Sequence, residues 1–511
     1  MQETVSDPFS VAGKTLPVRE HVTLLVIGAG PAGLAAAIEA ANRGVAVMLV
    51  DENPVPSATM GDDIPLMFGQ RFSGAARNVT AMTEALIASE PMIAAAFDAG
   101  VDVRLGVAVW GLYANNASVG WLPGPLAGLS DGEQAWLLGF DRAIVATGHR
   151  DMGLAFPGWD LPGVMGAAAA VRLANRYGAL EARRAVVLGS SAEAWAAVAA
   201  MAAAGVEVAA IVEQAAAPLE AGDRAVSCAT AIRSTEGAAG VEAITFAGPQ
   251  GEVRIECDTV VLAVGAVPVV ELLDALGCRI VFDGARGGHV PVLSAGGCTS
   301  VAQVYAVGDC AGVWPAKTRD RAIAEAEGRS AAVHVAASLG QPGVDLPQPP
   351  GVPAGGIDLA AYRLDWIRGT VVTATGEPHV CQCESVTARE IVEVRPPRYL
   401  GAGNDGRNAR DLLTLLGNGP PNPDQVKRLT RAGMGVCQGR RCREQVAALL
   451  ALAGNVELGA VPLAGYRAPV RPLPLALAAA SPEPAAMSAN WDTWFGMPSQ
   501  ILAPWEIASD E

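Results

Sequence analysis

At 511 residues the chain exceeds what one hydrophobic core organises, and 51% hydrophobic content with 58 glycines suits several close-packed α/β domains. A formal net charge of −16 excludes nucleic acid and anionic lipid as general partners. Nine cysteines, with no basic stretch and apolar run at the opening, read as the thiols of an unexported, cytoplasmic protein rather than as a disulfide framework.

Residues 1–21 read as a loose N-terminal arm. From Val22 the pattern is strand Thr23–Ile27, an Ala-rich helix Pro31–Arg43 and strand Ala46–Val50, a βαβ opening whose crossover demands parallel pairing. Its turn reads Gly28-Ala29-Gly30-Pro31-Ala32-Gly33. Gly28 permits the tight turn, Gly30 lets backbone approach a pyrophosphate, and Gly33 lets helix and strand pack closely. The helix N-terminus faces the phosphate charge. Asp51, eighteen positions after Gly33, is placed to accept from ribose hydroxyls, with Glu52 as the neighbouring alternative. Further on, Ala143–Gly148 is an apolar strand running into a Thr147-Gly148 turn. Val304–Asp309 is another, ending in Gly308-Asp309 and so setting a carboxylate at the ligand edge of the sheet, where it suits a polyol.

A second unit of the same shape starts near Arg184: strand Ala185–Leu188, helix Ala192–Ala203, strand Val206–Val212 and then Glu213. Gly205 and Glu207 interrupt the apolar run Ala192–Val212, so it reads as a buried helix and a strand, not a membrane span. Any membrane association would be peripheral. The second turn, Gly189-Ser190-Ser191-Ala192-Glu193-Ala194, keeps only its first glycine. Ser191 puts a side chain where phosphates would meet backbone, and Glu193 adds a repulsion on the order of a few kcal/mol. Against that, Glu213 stands where a ribose acceptor would.

The Pro/Gly-rich residues 341–356 read as a linker, and a Cys-bearing segment follows over 357–458. Residues 459–511 form a Pro- and Ala-rich extension ending in Trp491, Trp494 and Trp505. Such a tail packs on a surface, its own or that of a partner protein. The Cys segment carries Cys381-Gln382-Cys383 and Gly433-Met434-Gly435-Val436-Cys437-Gln438-Gly439-Arg440-Arg441-Cys442. Four thiolates on two short loops would normally hold zinc or a [2Fe–2S] cluster, with free thiols as the remaining reading. CxC with Cx₄C spacing is poorer for zinc, and Arg440, Arg441 and Arg443 would offset cluster charge. Fifty-three residues separate Cys383 from Cys437, and the surplus is assigned to a surface loop over Arg395–Pro421.

The glycine turn, Thr147-Gly148 and Gly308-Asp309, in this order, resemble the two-dinucleotide-binding-domain flavoproteins. The cysteine loops resemble the bacterioferritin-associated-ferredoxin-like [2Fe–2S] domain. Together with Phe156-Pro157-Gly158-Trp159-Asp160-Leu161-Pro162-Gly163-Val164, they resemble the α subunits of heteromeric amine and amino-acid dehydrogenases, the opine oxidase, hydrogen cyanide synthase and dye-linked proline or hydroxyproline dehydrogenase type. That resemblance implies a doubly wound α/β fold with FAD in residues 22–155 and 290–340, an NAD(P)-like domain in 156–289, and four cluster ligands, Cys381, Cys383, Cys437 and Cys442. It implies that Asp309 accepts from the flavin ribityl chain, that Val109 on a strand Val101–Val109 lies against the adenine, and that Gln70 of Phe68-Gly69-Gln70-Arg71 contacts the flavin. It further implies electron transfer from a β-type flavoprotein subunit that oxidises the C–N bond. FMN is held at the α/β interface in some members, and a small third subunit occurs in others. The alternatives are an NAD(P)H-dependent reductase feeding a partner oxygenase and a scaffold with structural FAD. No CxxC or Cx₄C pair lies beside the flavin segments, which argues against a disulfide reductase, and no Ser/His/Asp triad stands out among five histidines. His149 falls in the flavin region, where a solvated loop residue competes with a redox role.

Overall fold

A computed structural model describes residues 18–55, 71–116, 122–249, 251–342, 348–374, 377–395, 411–420 and 422–480. The run Leu24-Leu25-Val26-Ile27 has no polar face because both faces are covered: Leu24 and Val26 pack in a core with the helices Pro31–Asn42 and Arg321–Ser338, and Leu25 and Ile27 in a second core with Leu129, Phe140 and Leu273. In this sheet β1 (Val18–Ile27), β2 (Val47–Asp51), β3 (Asp102–Leu105), β4 (Ala108–Tyr113), β5 (Leu126–Ser130) and β6 (Ala135–Val145) lie in the order β3–β2–β1–β6–β5–β4. Strands β3, β2, β1 and β6 are parallel, β6–β5–β4 is an antiparallel meander, and the strand Val304–Ala306 returns from far along the chain to pair in parallel with β6. The expected helix Pro31–Arg43 runs Pro31–Asn42 and begins with proline, whose missing N–H costs nothing at a helix start. Its partner is the helix Arg321–Ser338. The two cross so closely that a Cβ on Gly328 would stand 2.0 Å from the Ala32 carbonyl oxygen.

The second unit forms a four-stranded parallel sheet in the order Glu207–Val212, Arg184–Leu188, Thr259–Leu262, Val164–Gly166. A three-stranded antiparallel sheet of Ala231–Glu236, Ala243–Gly248 and Gly251–Glu256 accompanies it. The helix Ala192–Ala203 has the bounds expected of it. No helix among the described residues is long and apolar enough to cross a membrane.

Beyond residue 356 come the helix Leu359–Gly369, the short strands His379–Cys381 and Val386–Thr387, and the helices Ala388–Val392, Leu412–Asn418, Pro423–Thr430 and Arg443–Gly454. These share one core with the second unit, in which Trp159, Val186 and Leu262 meet Trp366, Ile391 and Leu450. Tyr466 and Val470 instead join the core of β4–β6 and the segment Val270–Cys278. The helix Leu412–Asn418, with Leu412 and Leu415 buried, lies inside the stretch assigned to a surface loop. An Asp411 N-cap and apolar spacing outweigh the Gly- and Asn-rich composition around it.

Candidate functional site

The first glycine turn connects β1 to its helix at the carboxyl edge of the large sheet. Gly28 has φ +111°, and a Cβ on it would lie 2.3 Å from the Ala146 carbonyl oxygen. A Cβ on Gly33 would lie 1.9 Å from the Gly28 carbonyl oxygen, whereas Gly30 has nothing within 4 Å. Two of the glycines are thus demanded by packing, and the middle one faces open space where a pyrophosphate could approach bare backbone. Ala29, Pro31 and Ala32 complete the turn, and Leu34 N–H donates to the Gly30 carbonyl at 2.9 Å. The carboxyl group of Asp51 reaches back into this turn. Oδ2 accepts from Ala29 N–H at 2.6 Å, while Oδ1 accepts from Asn53 N–H at 2.7 Å and Asn53 Nδ2 at 2.9 Å. Glu52, the alternative to Asp51, is paired with Arg471.

Val109 is buried in β4 and paired with Leu129. The expected single strand Val101–Val109 does not form: Gly106, at φ +76°, divides β3 from β4. Phe68-Gly69-Gln70 and the three tail tryptophans lie outside the described residues.

At the end of β6, Thr147 Oγ1 donates to the Val269 carbonyl at 2.8 Å and Gly148 turns at φ +74°. This sets His149 against the Gly308-Asp309 turn, with Nδ1 2.7 Å from Asp309 Oδ2. Burial opposes ionisation of both groups, but their mutual bond and charge win. The His149 pKa is raised and that of Asp309 is held below the ordinary carboxylate range. The Gly308-Asp309 turn rests on a buried ion pair that the sequence did not reveal. Lys317 Nζ lies 2.8 Å from Glu327 Oε1 and donates to the Gly308 and Gly312 carbonyls at 2.8 and 3.0 Å. Gly308 N–H in turn donates to Glu327 Oε2 at 2.7 Å. With every proton of a 3%-exposed lysine directed at an acceptor, the turn is rigidly held.

In the eroded twin, Ser191 caps its own helix by accepting from Ala194 N–H at 3.4 Å and donates to the Ala263 carbonyl at 3.0 Å. Glu193 accepts from Thr318 Oγ1 at 3.1 Å. The crevice is already occupied by a residue that sequence reading passed over, Tyr362. Its hydroxyl donates to Glu213 Oε2 at 2.7 Å and accepts from Ser190 N–H at 3.3 Å.

The four cysteines gather in one place. Cys383 Sγ lies 4.0 Å from Cys381 Sγ and 3.6 Å from Cys437 Sγ, Cys442 interacts with Cys381, and Gly433 N–H points at Cys381 Sγ from 3.4 Å. Two thiolates at about 2.3 Å from one ion sit about 3.8 Å apart, close to the 4.0 and 3.6 Å of the two Cys383 contacts. Among the described residues, no group of His, Cys, Asp or Glu has the arrangement of a single-ion site. The thiol contacts link Cys437 to Cys383, Cys383 to Cys381 and Cys381 to Cys442. A Cβ on Gly435 would come within 2.6 Å of Cys383 Sγ, which is why backbone can press against the sulfur. The Cys383 contact and burial push the Cys437 thiol up, while the Arg441 charge opposes them. None of the nine cysteines, all among the described residues, forms a disulfide.

One short segment runs from the Thr147-Gly148 turn to the cysteine loops. After Gly148 the strand His149–Asp151 pairs with Ala266–Pro268, and the chain then packs on the Cys437–Cys442 loop. Arg150 is ion-paired with Glu271 and, at 2.8 Å, with Glu444. Ala155 N–H donates to Gln445 Oε1 at 2.9 Å, and a Cβ on Gly153 would stand 2.5 Å from the Arg441 carbonyl oxygen.

Residues 22–340 match the family described as pyridine nucleotide-disulphide oxidoreductase, and residues 403–482 match the sarcosine oxidase A3 domain. The second match takes in Cys437 and Cys442 but not Cys381 and Cys383. The chain is 27% identical to an opine oxidase subunit of Agrobacterium tumefaciens (strain Ach5), over 89% of this chain and 90% of that one. It is 27% identical to the alpha subunit of sarcosine oxidase of Rhizobium meliloti (strain 1021), over 88% of this chain but 42% of the longer relative. Among solved structures, the L-proline dehydrogenase from P. horikoshii superimposes with a TM-score of 0.61 at 18% identity, covering 91% of this chain and 80% of that chain, a likeness of fold. With the glycine turn, the returning strand and the second βαβ unit all inside the first match, the chain belongs to the pyridine nucleotide-disulphide oxidoreductase family.

Proposed function

We propose that this chain is the FAD- and [2Fe–2S]-carrying electron-transfer subunit of a multisubunit amine or amino-acid dehydrogenase or oxidase, with the C–N bond oxidised in a partner flavoprotein subunit. FAD is the cofactor its family implies, and the naming of its relatives as subunits of opine and sarcosine oxidases favours a heteromeric assembly. The observation that carries the reading is the convergence of four thiols, distant in sequence, at the end of the segment that leaves the Thr147-Gly148 turn.

FAD in the first crevice would supply a carrier that accepts electrons in pairs and releases them singly, and a [2Fe–2S] cluster on Cys381, Cys383, Cys437 and Cys442 would accept them one at a time. The chain's own residues do the holding. Gly28–Gly33 would bare their backbone to the pyrophosphate, Asp51 would stand at the ribose end, and Asp309, oriented by His149 and by the turn above Lys317–Glu327, would offer its second oxygen to the ribityl hydroxyls. Arg150 and Arg441 lie beside the cysteine loop and offset negative charge there. The interface FMN, the β-type partner and a small third subunit belong to the same proposal.

Anaerobic isolation of the native complex, with mass spectrometry of its subunits and assays for flavin, iron and acid-labile sulfide, tests it. The expected result is FAD with about two irons and two sulfides per chain, together with a second flavoprotein subunit. Absence of iron and sulfide overturns the cluster, and a chain that purifies alone and reacts rapidly with NADH overturns the division of labour.

A further inference from the structure

In a βαβ dinucleotide fold the acidic residue at the end of the second strand accepts from a ribose hydroxyl, and the Gly turn opposite takes the pyrophosphate. In the second unit those places belong to Glu213 and to Gly189–Ala194. Glu213 is fully buried, and its Oε2 accepts two hydroxyl donors, Ser190 Oγ at 2.6 Å and Tyr362 at 2.7 Å. Its Oε1 takes Ala215 N–H at 3.1 Å. The Tyr362 oxygen also accepts the Ser190 N–H, one of the amides that a free crevice would turn toward phosphate. A Cβ on Gly189 would be 3.1 Å from that oxygen, so the phenol is pressed into the turn. Arg363, the next residue, wedges in beside it. Its guanidinium donates to the Gly287 and Ala266 carbonyls at 2.8 and 2.5 Å, and a Cβ on Gly265 would meet its Nε at 2.8 Å.

These residues belong to the helix Leu359–Gly369, the first element after the linker, on the path to the cysteine loops. Asp358 caps that helix by accepting from Ala360 and Ala361 N–H, so its first turn is fixed where it meets the crevice. We propose that Tyr362 is an internal ligand of the second dinucleotide fold: its hydroxyl stands in for a ribose hydroxyl at Glu213, which turns a nucleotide site into the dock for the cysteine-bearing segment and excludes nicotinamide nucleotides as electron donors. The inference rests on the electron-transfer reading only in naming what is docked. It makes Tyr362 a determinant of donor specificity, acting by occupancy and not by chemistry.

The full-length chain is tested by hydrogen exchange and by calorimetric titration with NADH and NADPH. Wild type is expected to give no saturable binding up to millimolar nucleotide. Tyr362→Phe keeps the ring and removes the donor, so exchange at Ser190 and along residues 359–369 should accelerate about tenfold or more. The triple variant Tyr362→Ala, Ser191→Gly, Glu193→Ala should gain saturable NADH binding. Unchanged exchange in Tyr362→Phe overturns the proposal, as does submillimolar NADH binding by wild type that loosens residues 359–369. Should the triple variant fail to fold, those two measurements still decide. Neither readout depends on iron or flavin, so failure here leaves the electron-transfer reading standing, and loss of the cluster assignment leaves the docked tyrosine intact.

Discussion

Alanine at Gly33 and alanine at Gly30 should separate packing from ligand binding within one turn. At Gly33 the added methyl would sit 1.9 Å from the Gly28 carbonyl oxygen, with the Ala146 Cβ at 3.2 Å on another side. Backbone must retreat by about 1.5 Å to reach an ordinary contact. Overpacking against side chains costs about 1–3 kcal/mol, and a backbone obstacle belongs at the upper end. At about 2–4 °C per kcal/mol, the ligand-free protein should melt about 6–12 °C lower. At Gly30 the methyl meets nothing within 4 Å, and the backbone, φ −79° and ψ 176°, suits alanine. The fold should lose no more than about 1 kcal/mol, the usual penalty for alanine in place of glycine at an N-cap. That methyl stands instead where a pyrophosphate would meet the turn. Losing two charge-assisted hydrogen bonds at about 1.5 kcal/mol each weakens FAD about a hundredfold. Melting of ligand-free protein and fluorescence titration with FAD measure the two quantities separately. A Gly30→Ala protein that holds FAD within threefold of wild type, or a Gly33→Ala protein that melts within about 2 °C of it, would refute the reasoning.

His149 has its pKa raised on folding, so its contribution is whole below about pH 6.5 and is lost as pH climbs through the folded value. Melting temperatures from pH 6 to 9 should therefore fall more steeply for wild type than for His149→Gln, and parallel profiles would sink the idea. Asp309, held low, contributes in the opposite sense, its share disappearing as pH drops through the folded pKa. Lys317→Met leaves Glu327 and the Gly308 turn without their buried cation, and urea unfolding should register a loss of about 3–5 kcal/mol. A loss below about 1 kcal/mol would mean the pair is dispensable. Cys437→Ser should remove iron and sulfide together, whereas Cys310→Ser, at a buried thiol pushed up to about 11, should leave both unchanged. Equal iron content in the two variants contradicts the ligand assignment.

Much of the first nucleotide unit could be read in the sequence because its determinants are local. A strand, three glycines and a helix within twenty residues each have one steric reason, and the second unit announced itself the same way. What stayed hidden depends on residues far apart in the chain. Nothing near Tyr362 hints at a partner 149 positions earlier, and Lys317 looked like any basic residue at a helix start until Glu327 and two carbonyls closed on it. Glu52 stood as the alternative to Asp51 with nothing nearby to show that Arg471, from the far end of the described chain, pairs with it. Val101–Val109 misled for a local reason: apolar composition continued across Gly106 while the backbone turned. For the cysteines, spacing offered a ligand set, and only the fold brings Cys383 beside Cys437.

The docking of residues 359–470 also has a mechanical consequence. Tyr362 grips the second nucleotide fold, while Val470 N–H donates to the Trp110 carbonyl at 2.7 Å and Arg471 pairs with Glu52, gripping the first. Arg150, on the connection between the two folds, is held by Glu271 on one side and Glu444 on the other. A hinge fastened on both leaves cannot swing. Twisting one fold against the other would have to break one of these two grips, either the contacts of Val470 and Arg471 or that of Tyr362 together with the apolar core that the second fold shares with the cysteine helices. In such a body the separation of the glycine turn from the cysteine loops is set when the chain folds.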